Sequence, residues 1–352
     1  MSILFIAVGI LLFGLMIAVH EFGHFTVAKA CKVRVDEFSI GMGPAIFKKQ
    51  KGDTLYSLRL IPMGGYCAMA GEDENSDDPA AFSNKKAWQR MLILAAGSFM
   101  NFIMGLVIVI ILYSSAGAFR APILADFMEG CPYEGVNALQ AGDRIHSIDG
   151  KRVFQQYNVS EFLSQGDGEY DIVIVRDGKK IELDDFKLVP VEYEGQPYKM
   201  YGIFFGLDEA NFVNTMRHSW NTTMEFGRMV WMGLSQLFSG AVGVQEMSGP
   251  VGIVDLMAET GKKAETIAAG LSQVFYLGAF IAVNLAVMNM LPIPALDGGR
   301  IFFTAVTWVI ESVTRKKLDP KYEGYIHGAA MVLLLALMGY VMLNDIFKIV
   351  SG

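Results

Sequence analysis

Any chemistry in this chain turns on one pentapeptide, His20-Glu21-Phe22-Gly23-His24. Side chains four residues apart share a helix face, so His20 and His24 can direct two imidazoles at a single divalent ion such as zinc. Glu21 lies beside that face and can take a proton from a water held by the ion. A His-x-x-x-His pair arises often by chance. A Glu directly after the first His, in a chain with only five histidines, is more specific. The other three (His146, His218 and His327) are scattered. Eighteen almost unbroken apolar residues, Ser2 to Val19, lead into the motif. As a helix they rise about 27 Å, nearly the depth of a bilayer core. Ionisable groups held that deep are costly and mark function. The pattern implies metal-assisted hydrolysis at membrane depth.

A second constellation lies far along the chain. Asn284 and Asn289 sit in an apolar run that ends in Leu291-Pro292-Ile293-Pro294-Ala295-Leu296-Asp297-Gly298-Gly299. Two prolines and a glycine pair break a membrane helix, and the freed backbone groups survive only where protein or water lines a cavity. Asp297 is the one carboxylate near this break. A helix cap would explain Asp297 alone, but not the whole set.

The elements that position these residues follow from composition. Of 352 residues, 53% are hydrophobic and 18% charged, which indicates a polytopic membrane protein with one modest soluble module. Four apolar segments are long enough to cross a bilayer as helices: Ile3–Ala28, Met91–Ala116, Leu271–Leu291 and Ile326–Val350. The first is too long, and lacks the basic start, for a cleaved signal peptide. Ile301–Ile310 is too short to span, and Phe212–Gly240 suits an interfacial amphipathic helix. A net charge of −7 and no basic aromatic patch argue against nucleic acid as a partner. Cys31, Cys67 and Cys131 have neither metal-type nor disulfide-type spacing. Lysines and arginines crowd the loop from Lys29 to Arg90 and the loop from Arg300 to Lys321. The positive-inside tendency puts those loops in the cytoplasm, and both termini and the acidic module outside.

Residues Arg120–Leu207 read as a β-rich module. Ala141–Gly150 alternates into an Asp149-Gly150 turn, and Asp171–Val175 passes through Asp177-Gly178 into Lys180–Leu183. In the first basic loop, Thr54–Ala70 has strand-like halves around Pro62 and Gly64-Gly65. It is apolar enough to enter the membrane as a hairpin. Its edge, with Tyr56, Leu58, Gly64 and Gly65, is a candidate for pairing with an unwound substrate. An ordinary hairpin packed on the helices is the plainer reading.

His-Glu-x-x-His together with Asn289-x-x-Pro292-x-Pro294-x-Leu296-Asp297-Gly298-Gly299 resembles the paired signature of the site-2 protease family, the intramembrane zinc proteases. Ala141–Gly150 resembles a PDZ domain. One such module, with Ser248-Gly249-Pro250-Val251-Gly252-Ile253 after it, looks like the bacterial branch of the family. The sequence departs from that pattern in the stretch Ala96-Gly97-Ser98-Phe99-Met100-Asn101, where relatives usually have Pro at the position of Ser98. The resemblance implies a four-span α-helical membrane protein with an inserted PDZ-like domain and a membrane-associated β-hairpin, in a bacterial inner membrane. The expected divisions are 1–118, 119–207, 208–265 and 266–352. It implies zinc on His20, His24 and Asp297, Glu21 as general base, and Asn289 and Asn284 among the substrate-binding residues. The implied substrates are single-span membrane proteins such as anti-sigma factors and remnant signal peptides, cut within the bilayer. Two rivals stay open: a membrane-anchored zinc protease facing the cytoplasm, and a non-catalytic scaffold or transporter.

Overall fold

The computed structural model describes residues 2–72, 76–135, 138–241, 243, 249–315 and 321–351. Ser248 of the Ser248–Ile253 motif lies outside them. In chain order the elements are α1 (Ser2–Ala30), β1 (Val35–Lys51), β2 (Thr54–Met69), α2 (Ala87–Tyr113), β3 (Ala118–Phe127), β4 (Arg144–Ile148), β5 (Lys151–Arg152), α3 (Gln156–Gln165), β6 (Glu169–Arg176), β7 (Lys179–Lys187), β8 (Ile203–Glu209), α4 (Phe212–Phe238), α5 (Pro250–Lys262), α6 (Ile267–Asn289), α7 (Asp297–Thr314) and α8 (Lys321–Ser351). The chain divides into two compact units, Met1–Val109 with Phe226–Gly352, and Ile110–Glu225.

In the first unit, α1, α2, α6 and α8 are each long and apolar enough to cross a membrane. Helices in hydrocarbon gain little from apolar burial and associate by close packing, often at small residues. This bundle follows that rule. A Cβ at Gly105 of α2 would stand 2.7 Å from Val283 of α6, and one at Gly23 of α1 only 2.4 Å from the Ala96 carbonyl of α2. Phe5, Leu12 and Met16 of α1 pack with Met257 and Ala258 of α5 and with Val274, Ile281 and Ala282 of α6. Helix α8 is mostly exposed along its apolar window. It is clasped to α5 by Asp345, whose carboxylate accepts from the Gly249 and Gly252 amides at 2.9 and 3.0 Å. Those amides open α5, whose own N-cap, Gly249, has no side chain to satisfy them.

The hairpin is larger than Thr54–Ala70. Its strands are β1 and β2, joined at Gly52-Asp53, so the whole of Val35–Lys51 forms the expected partner. Pro62 and the glycines mark a bend inside β2 rather than the turn. The physical reason is a mutual fold-back: Gly41, Gly43 and Gly64 all have φ between 82° and 92°, open to glycine without strain. As a result Glu37–Ile40 of β1 face Leu55–Leu58 on one side and Gly65–Ala68 on the other. Arg59 stitches the layers, donating to Ser39 Oγ (2.8 Å), Gly43 O (2.8 Å), Glu37 Oε1 (2.9 Å) and Tyr66 Oη (2.6 Å).

The second unit holds a sheet of order β7-β6-β4-β3-β8, with β5 paired to β4. Helix α3, absent from the sequence reading, covers a core of Leu124, Ile145, Ile148, Val159, Phe162, Ile172 and Ile174. Asp149-Gly150 and Asp177-Gly178 have positive φ at both residues, the backbone that two-residue hairpin turns require. Where β8 meets α4, Asp208 accepts from Arg144 (2.9 Å), Arg217 (2.7 Å) and His218 Nε2 (2.7 Å). Burial holds His218 below its usual pKa despite that bond, consistent with a carboxylate already offset by two guanidinium groups.

Candidate metal centre

His20 and His24 lie in the last three turns of α1, one helical turn apart, and both are buried. Their Nε2 atoms stand 3.1 Å apart. Asp297, 277 positions after His20, meets them: its Oδ2 is 3.0 Å from His20 Nε2 and 3.4 Å from His24 Nε2. The approach depends on the break between α6 and α7. Ile293 N donates to Leu291 O and Leu296 N to Ile293 O, folding this segment against the first turn of α7. A Cβ at Gly298 would lie 2.3 Å from Leu291 O, and one at Gly299 2.2 Å from Ile293 O. Only glycines admit that crossing. Asp297 does not act as the helix cap: the N-cap is Leu296, and Asp297 occupies the first turn of α7 with Oδ2 toward the imidazoles. Arg300, one turn on, pairs with Glu72 beyond β2 and ties α7 to the hairpin.

The donor set fits a metal ion. His20, His24 and Asp297 each offer one ligand atom, all within 4.8 Å of one another. A tetrahedral site with bonds of about 2.0–2.1 Å has edges of about 3.3–3.4 Å, close to the three separations seen. Asp297 Oδ2 is buried and, among the described residues, faces no hydrogen-bond donor besides the two imidazoles. Such an oxygen, set between two imidazole nitrogens, is placed to share a cation with them. Helix α2 forms the opposite wall. A Cβ at Gly97 would stand 2.5 Å from His24 Nε2 and 2.8 Å from His20 Nε2, so glycine keeps the space beside both nitrogens open. His24 Nδ1 is 2.8 Å from the Ile93 carbonyl, which can only accept, so this nitrogen carries the proton and Nε2 is free to ligate.

The remaining expected residues separate. The Glu21 carboxylate is within Coulomb range of His20, His24, Asp297 and Glu72. Gly65 meets it: a Cβ there would be 3.6 Å from Glu21 Cγ. Gly64 instead abuts Met42. Leu58 is exposed. Tyr56 packs inward on Phe25 and Phe38 and does not join the cluster. Asn284 and Asn289 are half-buried on α6, with Asn289 its last residue. Two contributors lie in the Ala96–Asn101 stretch that the resemblance singled out without fixing a role: Gly97, and Asn101, whose Nδ2 is 3.4 Å from His20 Nδ1. A third, the Ile93 carbonyl, escaped the sequence reading. Gly97 and Asn101 did carry a signal, a glycine inside a helical pattern and a lone amide in an apolar span.

Comparison with known proteins gives the family. The model of peptidase family M50 matches residues 8–337. A protein of Clostridium acetobutylicum named as a zinc metalloprotease is 33% identical over 98% of each chain. One of Fusobacterium nucleatum with the same description is 33% identical over 97% of this chain and 98% of its own. The regulator of sigma-W protease RasP of Bacillus subtilis is 26% identical over 97% of each. The chain belongs to peptidase family M50, a family of zinc metalloendopeptidases.

Proposed function

We propose that this protein is an intramembrane zinc protease that cuts the transmembrane segments of single-span membrane proteins. The observation that carries the reading is the convergence of His20, His24 and Asp297 at one end of a 29-residue apolar helix. Glu21 is about 12 Å of helix rise from Lys29, the first basic residue of the chain, which is a depth inside the hydrocarbon for a spanning α1. His20, His24 and Asp297 hold the ion. Zinc, when bound, acidifies a coordinated water and polarises a carbonyl. Glu21 accepts the proton of the attacking water and delivers it to the departing amine.

A transmembrane helix hides its carbonyls in its own hydrogen bonds, so the substrate must unwind before attack. The Gly65–Ala68 edge of β2, beside Glu21, is suited to receive the released backbone by strand pairing. Asn289 and Asn284 are further candidates for its amides and carbonyls. The β-rich module, which resembles a PDZ domain, is proposed to bind extended chain in the same way. Anti-sigma factors and remnant signal peptides are the proposed substrates, the first supported by the sigma-W regulator among the relatives. The basic loops support an orientation in a bacterial inner membrane with both termini and the module outside.

The test compares native protein and Glu21→Gln, each reconstituted in lipid with a panel of single-span proteins. The variant should keep one zinc per chain and lose at least about 100-fold in cleavage. Cleavage at native rate by zinc-loaded Glu21→Gln would remove Glu21 from the mechanism. Products cut only outside the membrane segment would refute the intramembrane reading.

A further inference from the structure

The two imidazoles are not supported alike, and the difference assigns a task to α2. A histidine that ligates through one nitrogen donates the proton on the other, and that acceptor fixes its tautomer and orientation. For His24 the acceptor is the Ile93 carbonyl. His20 presents Nε2 to Asp297 and to His24, so its Nδ1 must carry the proton and needs an acceptor of its own. The neighbour at that nitrogen is the side-chain amide of Asn101, 3.4 Å away and 1% exposed.

With the amide nitrogen toward the ring, Nδ1 would have to accept and the proton would sit on Nε2, blocking the ligand position. Asn101 Oδ1 is meanwhile buried with no hydrogen-bond partner among the described residues. A half-turn of the amide exchanges its two ends within the same outline. It provides the acceptor that His20 lacks by setting Oδ1 against Nδ1, with the amide nitrogen taking the place Oδ1 held. Resting on the zinc reading above, we propose that Asn101 is a positioning residue: its side-chain oxygen accepts the Nδ1 proton of His20 and holds Nε2 free for the ion. Ile93, Gly97 and Asn101 are spaced by four along α2, and His20 and His24 by four along α1. One stripe of α2 thus supplies a backbone acceptor, an open space and a side-chain acceptor, in that order. The outer support of the site comes from a helix that contributes none of its three ligands.

The test uses the full chain in lipid or detergent and reads zinc affinity by chelator competition. It also reads the protonation of the His20 ring by nitrogen NMR on the zinc-loaded protein. Asn101→Leu keeps the branched outline and removes the acceptor, and it should lower zinc affinity about 10–100-fold. Asn101→Asp keeps an acceptor at the same place; its affinity should stay closer to native, with Nδ1 protonated. A merely structural role would affect both variants alike and leave the ring signature unmoved. Native zinc affinity in Asn101→Leu, or an Asn101→Asp protein as weak as Asn101→Leu, would overturn the proposal. Failure of the native protein to hold zinc would overturn the zinc reading itself, and this proposal with it.

Discussion

Replacing Gly97 with alanine puts a methyl group into the space that α2 leaves beside the two imidazoles. The added carbon would stand 2.5 Å from His24 Nε2, and 2.7 and 2.8 Å from His20 Cε1 and Nε2. Ordinary contact begins near 3.4 Å, so the rings or the helix must yield by about 0.6–0.9 Å. Neither yields easily. His24 is held by Ile93, and α1 already touches α2 at Gly23 through the Ala96 carbonyl. Metal–ligand distances tolerate about 0.2 Å. The displacement exceeds that several-fold, so zinc affinity and cleavage should both fall by at least about 100-fold. Gly105→Ala is the control. Its Cβ would press on Val283 at 2.7 Å, on the same helix but away from the rings. It should destabilise the bundle by about 1–3 kcal/mol while zinc affinity holds. Chelator competition and cleavage, measured on both variants in lipid, separate the two outcomes. Native zinc affinity in Gly97→Ala would refute the idea that the ion lies between Gly97 and the imidazoles.

Asp297→Ala should lower zinc affinity and cleavage together, unlike Glu21→Gln; a variant with full zinc affinity but no activity would move Asp297 out of the ligand set. The second unit should weaken in mild acid. Burial holds His218 below its usual 6.5, so the unfolded chain binds that proton first as pH falls. Stability from this residue is therefore complete above about pH 7 and declines below about 6.5. Asp208, despite burial, is also held below its usual 3.8 by bonds from Arg144 and His218, and adds its loss only below about pH 4. Hydrogen exchange in β8, corrected for its intrinsic pH dependence, should show protection falling between pH 7 and 5.5. Constant protection across that range would contradict the assignment.

The long apolar helices were legible because a run of apolar residues is a local property. The sequence reading of Met91–Ala116 and the helix Ala87–Tyr113 differ only at their ends. The juxtaposition of His20 and His24 was legible for the same reason, since four-residue spacing on a helix is geometry that the chain carries with it. Bringing Asp297 to His20 needed the backbone crossing at Gly298 and Gly299, which Pro292 and Pro294 announce as a break without giving its direction. The hairpin failed at its register. Pro62 and Gly64-Gly65 look like a turn to any local rule, yet they bend β2 so that one stretch of β1 is paired on both sides. The Ile93 carbonyl was beyond reach, because every residue has one and nothing in its side chain says where it points. Helix α5 was likewise unread, although Met257 is fully buried against α1 and α6.

Two of the proposed ligands come from the first helix of the chain and the third from near its end, which sets a clock on the protein's birth. A ribosome adding about 5–20 residues per second needs roughly 15–55 s to travel from His20 to Asp297. During that interval α1 has already entered the bilayer with two imidazoles and a glutamate but lacks its third ligand. The same delay leaves His20 and His24 dependent on α2 alone to keep their orientation until α7 folds. A chain truncated before Asp297 would be stranded in that state, anchored and without hydrolytic power.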